Sequence, residues 1–512
     1  MSGDGIDDAM RNDCLYNTMP CDGLTNATPC EGSADTLFHY GILKNFFLKK
    51  RGAFMCAVLA IAVGFVFLFA LSGPDNYVSR RDNSGQRVAL RDFPYPYRAM
   101  VALVNDCDNT TLRAFERYHR FLNTREQTIY GTGLGLDISD SFFMYTTAAD
   151  YKRVMTYFLG TDPYTLKDAR VIERYIRCGW IDTLHTYGDF STTHQTIAGI
   201  YANGAVENNA SNEGDAAGEN AISVGAPSLF SRELASGAYA SLSPDGIFPT
   251  IWTDHGNEGN IQNFGSYGPG ASSEYKRGDA PSSKNYYHTD ITLTGGVKYV
   301  WDAKYSDRFG AGFPFVAKTL RDGQKLWSFN RYTGADRDGA SPEWYPDKLR
   351  FLLTEARLSA LVEKRQYGLF AQHLGYYGEE YKLDAEDVAA LRLLAEFQHE
   401  RNEILVAGTV RLFEYATARA FVGYATAVTE DSYLNIDITA VEDPLFPDIT
   451  PSLDRLRGLT FYCDDSDHAR ISIRGAQIGE EDIVRNPADE TGRPSISIRW
   501  HTQDTTDYSR YG

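Results

Sequence analysis

The chain has 512 residues, 43% of them apolar and 13% aromatic, with a formal charge of −18. That length and apolar content exclude wholesale disorder and leave room for two or three domains. The acidic balance argues against nucleic acid as a partner, because phosphate binding needs a basic surface; it suits neutral or cationic ligands, sugars among them, as well as a merely soluble acidic surface.

Residues 1–43 form a Gly/Asp/Asn-rich leader expected to be disordered. The run "AFMCAVLAIAVGFVFLFAL", residues 53–71, carries no charge and would span about 28 Å as a helix. It predicts a transmembrane helix, with a buried core helix as the alternative. Lys44, Lys49, Lys50 and Arg51 precede it, whereas Arg80 and Arg81 follow at a distance beside Asp75 and Asp82. The positive-inside rule therefore puts the N-terminus in the cytoplasm and the bulk of the chain in the periplasm or outside the cell. Cys14, Cys21 and Cys30 fall in the leader, Cys56 in the apolar run, and Cys107, Cys178 and Cys463 beyond it. This is neither a disulfide framework nor a CxxC zinc pattern. Asn26, Asn109 and Asn209 each begin a glycosylation triplet.

After a linker over residues 73–95, residues 96–430 alternate short apolar runs with helical patterns. "MVALVN" precedes "TLRAFERYHRFLN"; "DARVIERYIRCG", closed by Gly179, leads into "WIDTLHTYGDF". "GIFPTIWTDHG" is a further strand-like run, "YGLFAQHLG" follows a long amphipathic helix, and "DAEDVAALRLLAEFQHER" begins on an Asp cap and leads into "EILVAGT". Strands alternating with helices imply a parallel sheet, closed as a β/α barrel or open and doubly wound. Residues 201–228 are small and polar and read as a long loop or insertion. From 431 to 512 the pattern turns to alternating β, in "YLNIDITAV", "GLTFYCDD", "ARISIRG" and "SISIRWH", which predicts a small β-sandwich.

The groups able to do chemistry stand where apolar runs end. Asp106 and Asp108 close the first run, and Asp108 or Asn109 could simply cap the next helix. "DCDNT" also matches the DxDxT signature of haloacid-dehalogenase-like phosphatases, with Asp106 as nucleophile and "FYCDDSD" as the late acidic motif. "WIDTLHTYGDF" offers His185 and Asp189, followed by His194; "IWTDHGNEGN" offers Asp254 and His255; "YGLFAQHLG" offers His373. Imidazole with carboxylate is the ligand set for zinc or a similar divalent ion. Trp252, Tyr187, Tyr287 and Trp327 are candidates for stacking on a sugar ring, each with a core role as the alternative.

The order of these motifs over residues 95–425 resembles the polysaccharide deacetylase superfamily: a strand ending in two close acids, an H-x-x-x-H-like metal motif, a late strand with "HL", and a last strand and helix. The resemblance implies a (β/α)7-type barrel. It further implies Asp106 as catalytic base, Asp108 and His185 as metal ligands, Asp189 in the place of the second metal histidine unless His194 takes it, and His373 as general acid from the opposite side of the rim. The expectation is a membrane-anchored hydrolase, zinc-dependent in the first instance, that removes N- or O-acetyl groups from a polysaccharide outside the cytoplasm. Three alternatives stand beside it: a glycan-binding or assembly protein without activity, a glycoside hydrolase on the same barrel, and the phosphatase.

Overall fold

A computed structural model describes residues 88–146, 153–190, 229–255, 260–265, 276–302, 306–334, 342–447 and 449–511. All of them belong to the compact unit that begins at Pro74. The leader, the apolar run 53–71, linker residues 73–87, His194 and the segment 201–228 lie outside the described residues. Among those described, no helix is long and apolar enough to cross a membrane.

The run "AMVALVN" forms strand β1 (Ala99–Asn105), every residue of which is buried. A strand covered on both faces reads as one continuous apolar stretch instead of alternating. It is followed by α1 (Leu112–Asn123), β2 (Asp140–Phe142), α2 (Ala169–Cys178), β3 (Ile181–Leu184), α3 (Arg232–Leu242), β4 (Ile251–Thr253), β5 (Tyr299–Trp301), β6 (Phe315–Thr319) and β7 (Lys325–Phe329). Then come α4 (Glu355–Lys364), β8 (Tyr367–Gln372), α5 (Ala385–His399), β9 (Ile404–Val406) and α6 (Thr409–Phe421). Local chemistry sets the helix ends. Gly179 closes α2 in the left-handed conformation, and Asp384 caps α5 by accepting from the amides of Glu386 and Asp387.

One sheet has the order β6-β7-β5-β4-β3-β2, parallel throughout except for the β6–β7 pair. A second, wholly parallel sheet has the order β8-β1-β9, with Gln372 in register with Asn105. A single parallel bridge between Tyr332 and Phe370 joins the two on one side. On the other side β1 and β2 are tied through side chains: Asn105 Nδ2 donates to the Ser139 carbonyl at 3.1 Å, and the Cys107 amide donates to Ser141 Oγ at 3.0 Å. The architecture is mixed α/β with several sheets, and among the described residues no closed barrel is found. The ladder stops where β2 is three residues long and its register with β3 shifts between Asp140 and Ser141.

The C-terminal part adds β10 (Val422–Val428), β11 (Leu434–Val441), β12 (Thr460–Tyr462), β13 (Ala469–Ile473), β14 (Ile483–Asn486) and β15 (Ser495–Ile498) to two four-stranded sheets, whose remaining strands are the short Ala476–Gln477 and Ala89–Leu90. Residues 88–95, inside the expected linker, belong to the fold instead. Ala89–Leu90 pairs antiparallel with β12, and Arg91 is buried with its guanidinium on the carbonyls of Phe93 and Tyr97. Ile436, Ile438, Phe461, Ile471 and Ile496 share one apolar cluster with Met100, Tyr299 and Phe413. The β-rich part therefore completes the core beneath α6 and does not stand apart from it. Because the strands around β1 run parallel, their carboxyl ends face one side, and the chemically useful side chains gather there.

Candidate metal centre

The cap of α1 decides how the first two acids are used. Thr111, not Asp108 or Asn109, is the N-cap, and its side chain accepts from the Ala114 amide at 3.2 Å. Asn109 takes a left-handed φ of 54°, which asparagine tolerates, as the chain turns between strand and helix. Both carboxylates are thereby left to the strand end. The Asp106 amide donates to the Gln372 carbonyl at 2.8 Å, continuing the β1–β8 ladder. Cys107 is wholly buried; burial, then the charges of Asp108 and Asp140, push its thiol well above the usual range.

Three imidazoles surround Asp108. His185, one residue past β3, places Nε2 3.3 Å from Asp108 Oδ1, and His255, two past β4, places Nε2 3.2 Å from the same oxygen. His373, one past β8, has Nε2 3.1 Å from Asp108 Oδ2 and 3.5 Å from Asp106 Oδ2. The expected approach of His373 from across the rim is not what the structure has: β8 is the hydrogen-bonded neighbour of β1, and His373 stands beside the two acids. Asp106 in turn is gripped by Arg331, two residues past β7, whose Nη1 and Nη2 donate to Oδ1 at 2.7 Å and Oδ2 at 2.5 Å.

The sequence-predicted residues divide sharply. Asp108, His185 and His255 bring ligand-type atoms within 4.8 Å of one another, as do Asp106, Asp108 and His373; Asp189 is in neither group. The reason lies in the backbone after β3. The chain passes through Thr186 at φ 53° and Gly188 at φ 158°, so His185 and Asp189 do not sit one helical turn apart. Gly188 is required there, because a Cβ would lie 2.6 Å from the Tyr145 carbonyl oxygen. Asp189 is half-buried, and its charge acts on His255. Asp254 faces elsewhere: Oδ1 accepts from Trp252 Nε1 at 2.9 Å and the Phe264 amide at 3.0 Å, with Lys276 Nζ 3.8 Å from Oδ2. Burial pushes its carboxyl up to about 6 despite Lys276.

Of the stacking candidates, Tyr187 and Trp252 are fully buried and pack against His288, and Trp327 is buried with Nε1 donating to Asp443. Tyr287 is half-buried under the Arg232 guanidinium. Arg331 escaped the sequence reading altogether. "KLWSFNR" places an arginine just past a strand, but only the pairing of strands brings it to Asp106, and its guanidinium lies 3.7 Å over the Trp301 ring.

The donor set fits a divalent ion. Ligands held about 2.0–2.1 Å from a tetrahedral ion stand about 3.3 Å from one another, which matches the two Nε2–Oδ1 separations. His185 Nε2 and Asp108 Oδ1 are both buried and have no hydrogen-bond partner among the described residues. His185 Nδ1 lies 2.7 Å from Thr253 Oγ1 and 3.3 Å from the Thr253 carbonyl. With the proton on Nδ1, donated to Thr253, the Nε2 lone pair is left for a cation. The register Leu184–Trp252 between β3 and β4 is what sets Thr253 beside His185.

The electrostatics point the same way. Burial alone would raise the Asp108 carboxyl, but His255 and His185 outweigh it and hold it well below the carboxylate range. Burial would lower His255, but Asp108, then Asp189, push it up to about 10. Burial likewise raises Asp106, and Arg331, with His185 and His373, more than reverses that. Without an ion, a proton on His255 supplies the positive charge the cluster demands.

No protein-family model, no curated protein and no solved structure matches the chain at a significant level. The likeness to polysaccharide deacetylases rests on its motif residues alone.

Proposed function

We propose that the chain is a metal-dependent hydrolase that removes N- or O-acetyl groups from a carbohydrate. The apolar segment 53–71 would tether it to a membrane with the hydrolase outside the cytoplasm. The observation that carries the reading is the convergence of His185, His255 and His373 Nε2 atoms on the Asp108 carboxylate, with the ionised Asp106 beside them.

Asp108, His185 and His255 would hold the ion. A divalent ion of the zinc type supplies Lewis acidity toward a carbonyl oxygen and lowers the pKa of water toward about 7. Asp106 accepts the proton of the attacking water, and Arg331 keeps that carboxylate ionised and fixed in direction through two hydrogen bonds. His373, facing both acids through Nε2, hands a proton to the departing nitrogen or oxygen. Asp106 is a base of low intrinsic strength, because Arg331, His185 and His373 favour its ionised form.

One observation weighs against the phosphatase alternative: the late acidic motif follows β12 in the C-terminal sheets, where Asp465 pairs with His468. Acetate release by the full-length chain in detergent tests the proposal, with acetylated oligosaccharides as substrates. Release that stops on chelation and returns with zinc supports it. Release indifferent to chelation sinks it.

A further inference from the structure

We infer that the mouth of the metal centre holds a second divalent-cation site, made by Asp106, Asp108 and His373, and that an ion bound there switches the hydrolase off. The inference rests on the hydrolase reading above, which gives Asp106 and His373 their parts in proton transfer, and it adds a control to that reading. The two oxygens of Asp108 serve different neighbours. Oδ1 faces His185 Nε2 at 3.3 Å and His255 Nε2 at 3.2 Å, whereas Oδ2 faces His373 Nε2 at 3.1 Å. His373 Nε2 also lies 3.5 Å from Asp106 Oδ2. The ligand-type atoms of Asp106, Asp108 and His373 all fall within 4.8 Å of one another. Separations of 3.1 and 3.5 Å bracket the roughly 3.3 Å between ligands of one tetrahedral zinc-type ion. The second set thus meets the same geometric test as the first. A carboxylate that gives one oxygen to each of two ions is a bridge, and two-metal sites hold their ions about 3.5–4 Å apart.

The two positions differ in depth and in charge. The His185 side chain is fully buried, whereas those of His373 and Asp108 are 12% and 18% exposed. The second position therefore lies on the solvent side and exchanges its ion readily. One imidazole and two carboxylates are donors that zinc and its neighbours accept, with water completing the set. Asp106, Asp108 and Asp189 carry negative charge against the positive charge of Arg331. One divalent ion neutralises that excess, so a second binds against net positive charge. Arg331 weakens it further, because Nη2 already donates to Asp106 Oδ2 at 2.5 Å. The second ion is the weaker one by about a hundredfold or more. Its effect follows from the atoms it covers. Asp106 Oδ2, once bound to a cation, no longer accepts the proton of water, and His373 Nε2, once bound, no longer carries a proton to the leaving group. Both ends of the proton path close together while the first ion stays in place.

Equilibrium dialysis of the full-length chain against rising free zinc tests this, with acetate release from an acetylated oligosaccharide measured at the same concentrations. A tight first ion should be followed by a second about a hundredfold weaker or more, and release should fall at least about tenfold as the second is taken up. His373→Ala and Asp106→Asn should each weaken the second ion at least about tenfold and keep the first, whose retention shows that the variant is folded. Zinc taken up equally by both variants and the unsubstituted chain belongs to the acidic surface, and if that is all the weak binding there is, the site is overturned. A second ion whose uptake leaves release level, or raises it, overturns the switch. The outcomes also separate the two readings. A second ion weakened in both variants, on a chain that releases no acetate at any zinc concentration, supports the paired cation site and defeats the hydrolase. Zinc-dependent release that stays level as free zinc rises defeats the switch alone.

Discussion

Arg331 and Asp106 form a bidentate pair with both side chains almost wholly out of solvent, 2% and 3% exposed, and with the guanidinium stacked on Trp301. Residues just past two strands that are far apart in the chain supply the partners, Asp106 after β1 and Arg331 after β7. The pair fixes the charge of Asp106 as well as its aim. Arg331, with His185 and His373, holds that carboxylate below the usual range in spite of its burial.

Asp106→Asn keeps the shape and the Arg331 contacts in part but removes the proton acceptor. Acetate release should fall by about 10²–10⁴-fold, the usual share of a general base, while elemental analysis finds metal content unchanged. A fall of less than about tenfold with metal retained would show that another group takes the proton.

Removing the other partner has a different signature. Arg331→Met strands a buried carboxylate and should cost about 3–5 kcal/mol in urea unfolding. The double substitution with Asp106→Asn should recover much of that loss, because no unpaired charge remains. Equal destabilisation by the single and double variants would contradict the pairing.

Ligand assignment separates two candidates that the sequence left side by side. His255→Ala should weaken metal binding severely, whereas Asp189→Ala should weaken it little, since Asp189 belongs to neither ligand group. Thr253→Val, which deprives His185 Nδ1 of its hydroxyl partner, should cost about 10–100-fold in affinity. Competition with a chelating dye measures all three.

The contrast between Asp189 and His255 shows where the sequence was legible. Apolar runs located the strand ends: Asp106, Asp108, His185, His255 and His373 all stand within three residues past a strand, as the patterns around "MVALVN", "WIDTLH", "IWTDH" and "YGLFAQH" indicated. The β-rich tail was legible as well, since "YLNIDITAV" and "SISIRWH" alternate over strands β11 and β15. What the sequence could not carry was strand order. A four-residue spacing after His185 suggests a shared face only if the backbone is helical, and Thr186 and Gly188 turn it otherwise. Arg331 reaches Asp106 because the chain past β7 bridges β8, which pairs with β1, a tertiary fact with no local signal. Ala89–Leu90 escaped for the same reason: two residues acquire strand character only by pairing with β12.

The charge on His255 predicts how metal binding responds to pH. Its folded value, pushed up to about 10 by Asp108 and Asp189, means the metal-free protein carries a proton there at neutral pH. A cation must displace that proton, so affinity should rise about tenfold per pH unit between 7 and 10 and level off above. Calorimetry in buffers of different ionisation enthalpy should find about one proton released per ion at pH 7.5 from this residue. Affinity that is flat across this window would mean that His255 is not a ligand.

Metal stoichiometry on the full-length chain, after exposure to zinc and removal of excess, tests the metal centre most directly. About one tightly held ion per chain is expected, lost on Asp108→Ala and on His255→Ala but kept on Asp189→Ala and Asp106→Asn. A chain that retains no zinc, or that retains it equally well after Asp108→Ala, would contradict it.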